Sequence, residues 1–415
     1  MDTPSALGTP RTNNATTVLL LGGGDMAREV TYALQRLAVE VHAAGREESE
    51  PALRVADSAY IVDLHDDDAV LDLIRHVNPD LVVPTLELKC DTALFTVEEE
   101  KIAKVVPNAQ AVKLGARRDG YRTMAHKELG LPNGTYALAS SEEDLQAVAD
   151  LIGFPCVVKP ILTNNNSGHG QTTCDSPDDL AAAWDSAISV MKGNAHEVMV
   201  EQYIPFDYEI TILAARSVDP VTGNLATWFC EPIAHRQENG WLIESWQPVN
   251  MPSEALDNAR SVAARIANKI GGRGLFAVEL FVKGTDVYFS AVTPRPHDSG
   301  FVTLRSQRFS QFDLYARAIL GLPLDTTLIS PAACSILYGV EPESDNYSLS
   351  YDGVPGALSI PEADLQIFGY AKTKVGRRMG MGLATADTAE EARVRARSIV
   401  EAISITQTTD GASEG

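Results

Sequence analysis

The chain has 415 residues, 45% hydrophobic and 22% charged, the balance of a soluble globular protein with room for two to four domains. A net charge of −22 argues against nucleic-acid binding, so any anionic ligand must be met by a local cluster of cations. No apolar run approaches the roughly 18 residues that a membrane span needs, and the five cysteines are scattered without a Cys-x-x-Cys, as in a reduced cytoplasmic protein.

Residues 1–17 lack an apolar core and a basic start, and read as a disordered leader. From Val18 the chain alternates strand and helix. VLLL (18–21) is a buried strand; Gly22-Gly23-Gly24 turns into a helix over 25–37; VEVHAA (39–44) is the next strand. A helix over 66–77 carries Asp66, Asp67 and Asp68 at its start, where acids complement the helix dipole. LVVP (81–84) is a further strand. This rhythm predicts a doubly wound parallel sheet over 18–121. A boundary is expected near 117–122. Ser140 and Glu143 then form a capping box, and CVVK (156–159) is a strand after a Gly-Phe-Pro break. Residues 198–298 are mostly strands, interrupted by a helix over 253–270. The domains expected are 18–121, 122–330 with a lid at about 122–198, and a small β-rich unit at 331–404. That last unit ends in a helix capped by Thr388 and Glu391, and 405–415 reads as a frayed tail.

Four constellations carry chemistry. GGGDMA (22–27) joins a strand to a helix, a weak anion-binding signal; Gly45-Arg46 stands where a dinucleotide site needs an acid, which makes a nicotinamide cofactor unlikely. Lys159 ends an apolar strand and precedes TNNNSGHGQ (163–171), a loop suited to closing over phosphates. Glu201 and Glu209 flank the Pro205 break, where carboxylates could accept from an adenine edge and from ribose hydroxyls. The last is a hairpin, GLFAVELFV to VYFSAVTP: if its turn centres on Thr285, Glu279 faces position 291. Two facing carboxylates would clamp metals on a moving phosphoryl group. Here one is Glu279 and the other is Ala291. Beyond these four, Lys372 with Arg377 and Arg378 forms a basic cluster that suits a phosphate.

The ordered set GFPCVVKP, FDYEIT, HRQENGWLIESWQP, GLFAVELF, TPRPHDSGFVTL and KVGRRMG resembles the ATP-grasp ligases, and within them the formate-dependent phosphoribosylglycinamide formyltransferases. The resemblance runs from about residue 18 to 386 and implies an ATP-grasp α/β fold. It also implies an activity: ATP phosphorylates formate, and the amine of glycinamide ribonucleotide takes the formyl group. It implies ATP contacts from Arg118, Lys159, His169, Glu201 and Glu209, and Mg2+ on Glu279. Asp25, Met26, Glu87, Asp298, Lys372, Arg377 and Arg378 would hold the phosphoribosyl amine, with Arg295 and Asp298 catalytic. It further implies a homodimer.

The departures gather at the nucleotide end. Ala291 replaces the second metal carboxylate, Gly168-His169-Gly170 replaces glycine-lysine-glycine, and Asp25-Met26 replaces glutamate-leucine. Three readings stay open: the family's own reaction, a related ligase with another carboxylate or amine, or a non-catalytic phosphoribosyl-binding homologue.

Overall fold

The computed structural model describes residues 6–88, 91–162, 170–191, 197–238, 240–339 and 347–409. The first unit is a five-stranded parallel sheet in the order Ser58–Ile61, Glu40–Gly45, Thr17–Leu21, Leu81–Pro84, Lys104–Val105. Its middle strand is apolar from Val18 on because helices cover both faces: Val18, Leu19, Leu20 and Leu21 are all fully buried. Helices start where the sequence supplies caps. Asp66 accepts from the backbone N–H groups of Asp68 and Ala69 at 3.0 and 3.1 Å, while Asp67 and Asp68 lie in the first turn of Asp67–Val77.

Several expectations shift. The leader is not wholly loose: among the described residues, Leu7 packs on the core and the backbone N–H of Gly8 donates to Thr16 at 3.2 Å. The cap of Glu142–Ile152 is Ser141, one residue later than expected, accepting from Asp144 N at 3.1 Å. The expected boundary near 117–122 falls on the short helix Arg118–Thr123. Its Tyr121 ring packs edge-on against Phe289, and Arg122 donates to the Phe289 carbonyl at 2.8 Å. Within the expected tail, Ser404–Thr409 forms a strand that pairs antiparallel with Tyr347–Asp352.

A four-stranded antiparallel sheet (Tyr136–Ala139, Val198–Gln202, Cys156–Pro160, Thr172–Cys174) forms one wall of the nucleotide end. The opposite wall is a nine-stranded sheet. It begins with the hairpin Gly274–Lys283 and Asp286–Thr293 and continues through Tyr208–Val218, Ile233–Glu238 and Trp241–Gln247. Ala332–Tyr338, Arg378–Thr385 and Ala363–Ile367 extend the same sheet, with Leu225–Phe229 on a side branch. The C-terminal strands are thus hydrogen-bonded onto the central sheet through Trp246↔Ala333 and its neighbours. One apolar cluster runs from Val18 and Val30 through Leu213 and Leu275 to Leu314 and Cys334, so the parallel sheet and the central sheet share a core.

Candidate active site

Glu279 does face Ala291, by a different route from the one expected. The turn is the tighter one: Lys283 pairs with Asp286, leaving Gly284 (φ 60°) and Thr285 at its tip. That register would place Glu279 opposite Ser290. A bulge between Glu279 and Leu280 absorbs Ser290 and brings Ala291 across. The bulge leaves both Ser290 and Ala291 in the wall of a cavity of about 120 Å³.

That cavity collects much of the nucleotide set. Arg118, Lys159, Glu209 and Glu279 line it, with Glu87 and Arg295 toward one end. Arg118 is aimed by its own Nε, which donates to the Pro160 carbonyl at 2.9 Å. Glu201 is different: its side chain is buried behind the wall, 2.5 Å from Lys159 Nζ and ion-paired with Arg122. Burial raises the Glu201 carboxyl, but Arg122, Lys159 and Arg118 outweigh it and hold it below the usual carboxylate range. Arg122 was not picked out in the sequence, because nothing in RDGYRT marks one arginine as buried. His169 lies outside the described residues.

Glu279 lies beside His297, whose Nε2 is 3.4 Å from its Oε1. Burial raises Glu279, yet His297, His235 and Arg118 bring it down to about 2, so it is a carboxylate at any physiological pH. Among the described residues, no group of three His, Cys, Asp or Glu is arranged to hold a metal. One carboxylate lining the cavity nevertheless fits Mg2+, which needs about one or two protein carboxylates when phosphates and waters complete its octahedron.

A second cleft, about 670 Å³, opens beside the glycine turn and shares Arg295 and Asp298 with the first. Asp25 and Met26, at the start of Asp25–Gln35, and the loop 374–378 form its walls. The two adjacent arginines differ. Arg378 bonds Asp25 at 2.8 Å and is ion-paired with Asp298. Arg377 donates to the Lys372 carbonyl at 3.0 Å, lies over the Tyr370 ring and faces the Glu50 carboxylate across the cleft. Lys374 lines the cleft where Lys372 was expected. Glu87 is ion-paired with Arg295 at the junction of the two cavities.

A deep cavity between an antiparallel lid sheet and a central sheet, with a lysine and an arginine facing a carboxylate, defines an ATP-grasp protein; the family model described as "ATP-grasp domain" matches residues 124–312, and that described as "PurT, C-terminal" matches 332–403. A protein of Corynebacterium jeikeium (strain K411) named formate-dependent phosphoribosylglycinamide formyltransferase is 51% identical over 408 residues, 98% of each chain. The solved glycinamide-RNase-transformylase T from Mycobacterium tuberculosis is 37% identical, with a TM-score of 0.77 over 94% of this chain and 100% of that one. An ADP complex of N5-carboxyaminoimidazole ribonucleotide synthetase is 26% identical, with a TM-score of 0.80 over 95% and 98%. The chain belongs to the formate-dependent phosphoribosylglycinamide formyltransferase family.

Proposed function

We propose that the protein uses ATP and Mg2+ to activate formate and transfers the formyl group to the amine of glycinamide ribonucleotide. A formate oxygen attacks the γ-phosphorus and ADP leaves, giving formyl phosphate. The amine nitrogen then attacks the formyl carbon; phosphate departs with the former formate oxygen, and the nitrogen loses a proton. The observation that carries this reading is the shared wall: Arg295 and Asp298 line both the cavity of Glu279, Lys159 and Arg118 and the cleft of Asp25 and Arg377. An acyl phosphate made on one side meets an amine on the other without crossing bulk water, which would hydrolyse it.

In this reading Lys159 and Arg118 hold the nucleotide phosphates and Glu209 takes ribose hydroxyls. Glu201 acts through Lys159 and Arg122, fixing the lysine instead of touching the nucleotide. Mg2+, held by Glu279, would neutralise charge on the transferring phosphoryl group. Arg377 and Lys374 take the substrate phosphate, while Arg378, ion-paired with both Asp25 and Asp298, holds the two carboxylates toward the amine. Two copies of the chain form a homodimer in the cytoplasm; the family resemblance supports this.

The test is ADP release with each component omitted in turn. Release that needs Mg2+, formate and glycinamide ribonucleotide together supports the reading. Absence of formylated product sinks it. A small carboxylate other than formate is the second reading, favoured by the space left at Ala291; replacing formate with acetate or glycolate in the same assay decides it.

A further inference from the structure

Glu50 supplies the acid that Gly45-Arg46 withholds from the end of the strand Glu40–Gly45. The chain leaves that strand, turns, and folds back on the glycine loop. Ala52 N donates to the Gly23 carbonyl at 2.8 Å, and Arg54 donates to the Gly369 carbonyl at 2.6 Å. Pro51, Ala52 and Leu53 are buried beneath. This lays the Glu50 side chain against two glycines: a methyl group built on Gly23 or Gly45 would fall 1.8 or 2.2 Å from Glu50 Oε2. Gly22 has a φ of 138°, whereas at Gly23 and Gly45 an added side chain would crowd both the Glu50 carboxylate and Leu53 Cδ1. Glu50 lines the same cleft as Asp25, Met26 and Arg377. The backbone N–H of Arg46 donates to it, and the cations facing it are Arg46 and Arg377.

A half-buried carboxylate near the arginine assigned to a phosphate repels that phosphate unless it has a donor of its own to bind. The substrate offers two kinds. Its amine must face Arg295 and Asp298 to reach the acyl group, which leaves the ribose hydroxyls. A carboxylate beyond the second strand, beside a glycine turn, has the right chemistry to accept from a vicinal diol. We propose that Glu50 binds the vicinal hydroxyls of the substrate's ribose and makes the cleft selective for ribosyl over deoxyribosyl phosphates. The assignment rests on the phosphoribosyl reading of this cleft.

The test is calorimetric binding of ribose 5-phosphate and 2-deoxyribose 5-phosphate to the full chain and to Glu50→Ala and Glu50→Gln. The unaltered protein should prefer ribose 5-phosphate by about 10–100-fold, the range of a hydrogen bond to a charged group. Glu50→Ala should lose that factor for ribose 5-phosphate only, and with glycinamide ribonucleotide should raise KM while leaving kcat nearly unchanged. Glu50→Gln, which keeps the shape, covers the case in which the alanine variant does not fold. Equal affinity for both sugars in the unaltered protein, or equal loss of both in a folded variant, overturns the proposal. If that happens while formyl transfer proceeds normally, the proposed function stands alone. Sugar selectivity that depends on Glu50 in a protein without formyl transfer would sink the proposed function and keep this assignment.

Discussion

Arg377 and Arg378 are neighbours in the chain with opposite surroundings. Arg378 is ion-paired with Asp25 and Asp298, whereas Arg377 bonds a carbonyl, faces Glu50 across the cleft and stays open to a ligand. Arg377→Ala should therefore weaken binding of glycinamide ribonucleotide by about 1.5–3 kcal/mol without lowering the melting temperature, as calorimetry and thermal unfolding would show. Unchanged affinity would remove the phosphate from this arginine. The pair was legible as a basic cluster in an acidic chain, but its division of labour was not, because the partners come from residues more than 70 positions away. Glu29 is a second case set by burial. Its carboxyl is pushed up to about 6 by desolvation, against the pull of Arg28, 3.8 Å away, and Arg36. A raised folded value favours the protonated form. Stability from this group is full below the unfolded value of 4.5 and is lost as pH rises through about 6. Glu29→Gln should gain about 1–2 kcal/mol at pH 7.5 and almost nothing at pH 4.5 in urea unfolding. The same change at both pH values would contradict it.

At the scale of elements, the hairpin Gly274–Lys283 and Asp286–Thr293 fixes what the nucleotide site can do. Its alternation was readable in the sequence, and so was the pairing of Glu279 with Ala291. The bulge at Ser290 was not, since an unpaired residue leaves no mark on a period-two pattern. The tight turn alone would have paired Glu279 with Ser290 instead. Ala291→Glu puts a like charge directly opposite Glu279, which should cost about 0.2–1 kcal/mol without metal. With Mg2+ and ADP the loss should reverse, and any formate-dependent turnover should rise, by up to about 10²–10³ if the second carboxylate limits the phosphoryl step. Thermal unfolding with and without Mg-ADP, beside ADP-release rates, gives both answers. High turnover before the change and no gain after it would show that one carboxylate suffices. The strand Trp241–Gln247 shows another limit on reading. ESWQP belongs to a family motif, but the buried Glu244 within it is a structural anchor, held by Arg236 at 3.0 Å and by Arg393 at 2.8 Å from the helix Ala389–Glu401. A motif shows that residues matter without showing whether they touch a substrate.

Across the whole molecule, the parallel sheet brings the glycine turn and Glu50, the lid sheet brings Lys159, and the central sheet brings Glu279 and Arg378. The parallel sheet was legible from its alternating strand–helix rhythm, whereas the ATP-grasp fold was legible only through the resemblance of its ordered motifs. The joining of the C-terminal strands onto the central sheet was not, as register between distant strands is written in tertiary packing. For the assembly, light scattering at micromolar concentration should return twice the chain mass of 44.7 kDa, and a monomeric mass would refute the dimer. The central claim is that phosphate leaves ATP through formate. Formate labelled with ¹⁸O, supplied with Mg-ATP and glycinamide ribonucleotide, should deliver one labelled oxygen to each inorganic phosphate, with one ADP and one formylated product. Phosphate without label, or ADP formed without formylated product, would contradict the account.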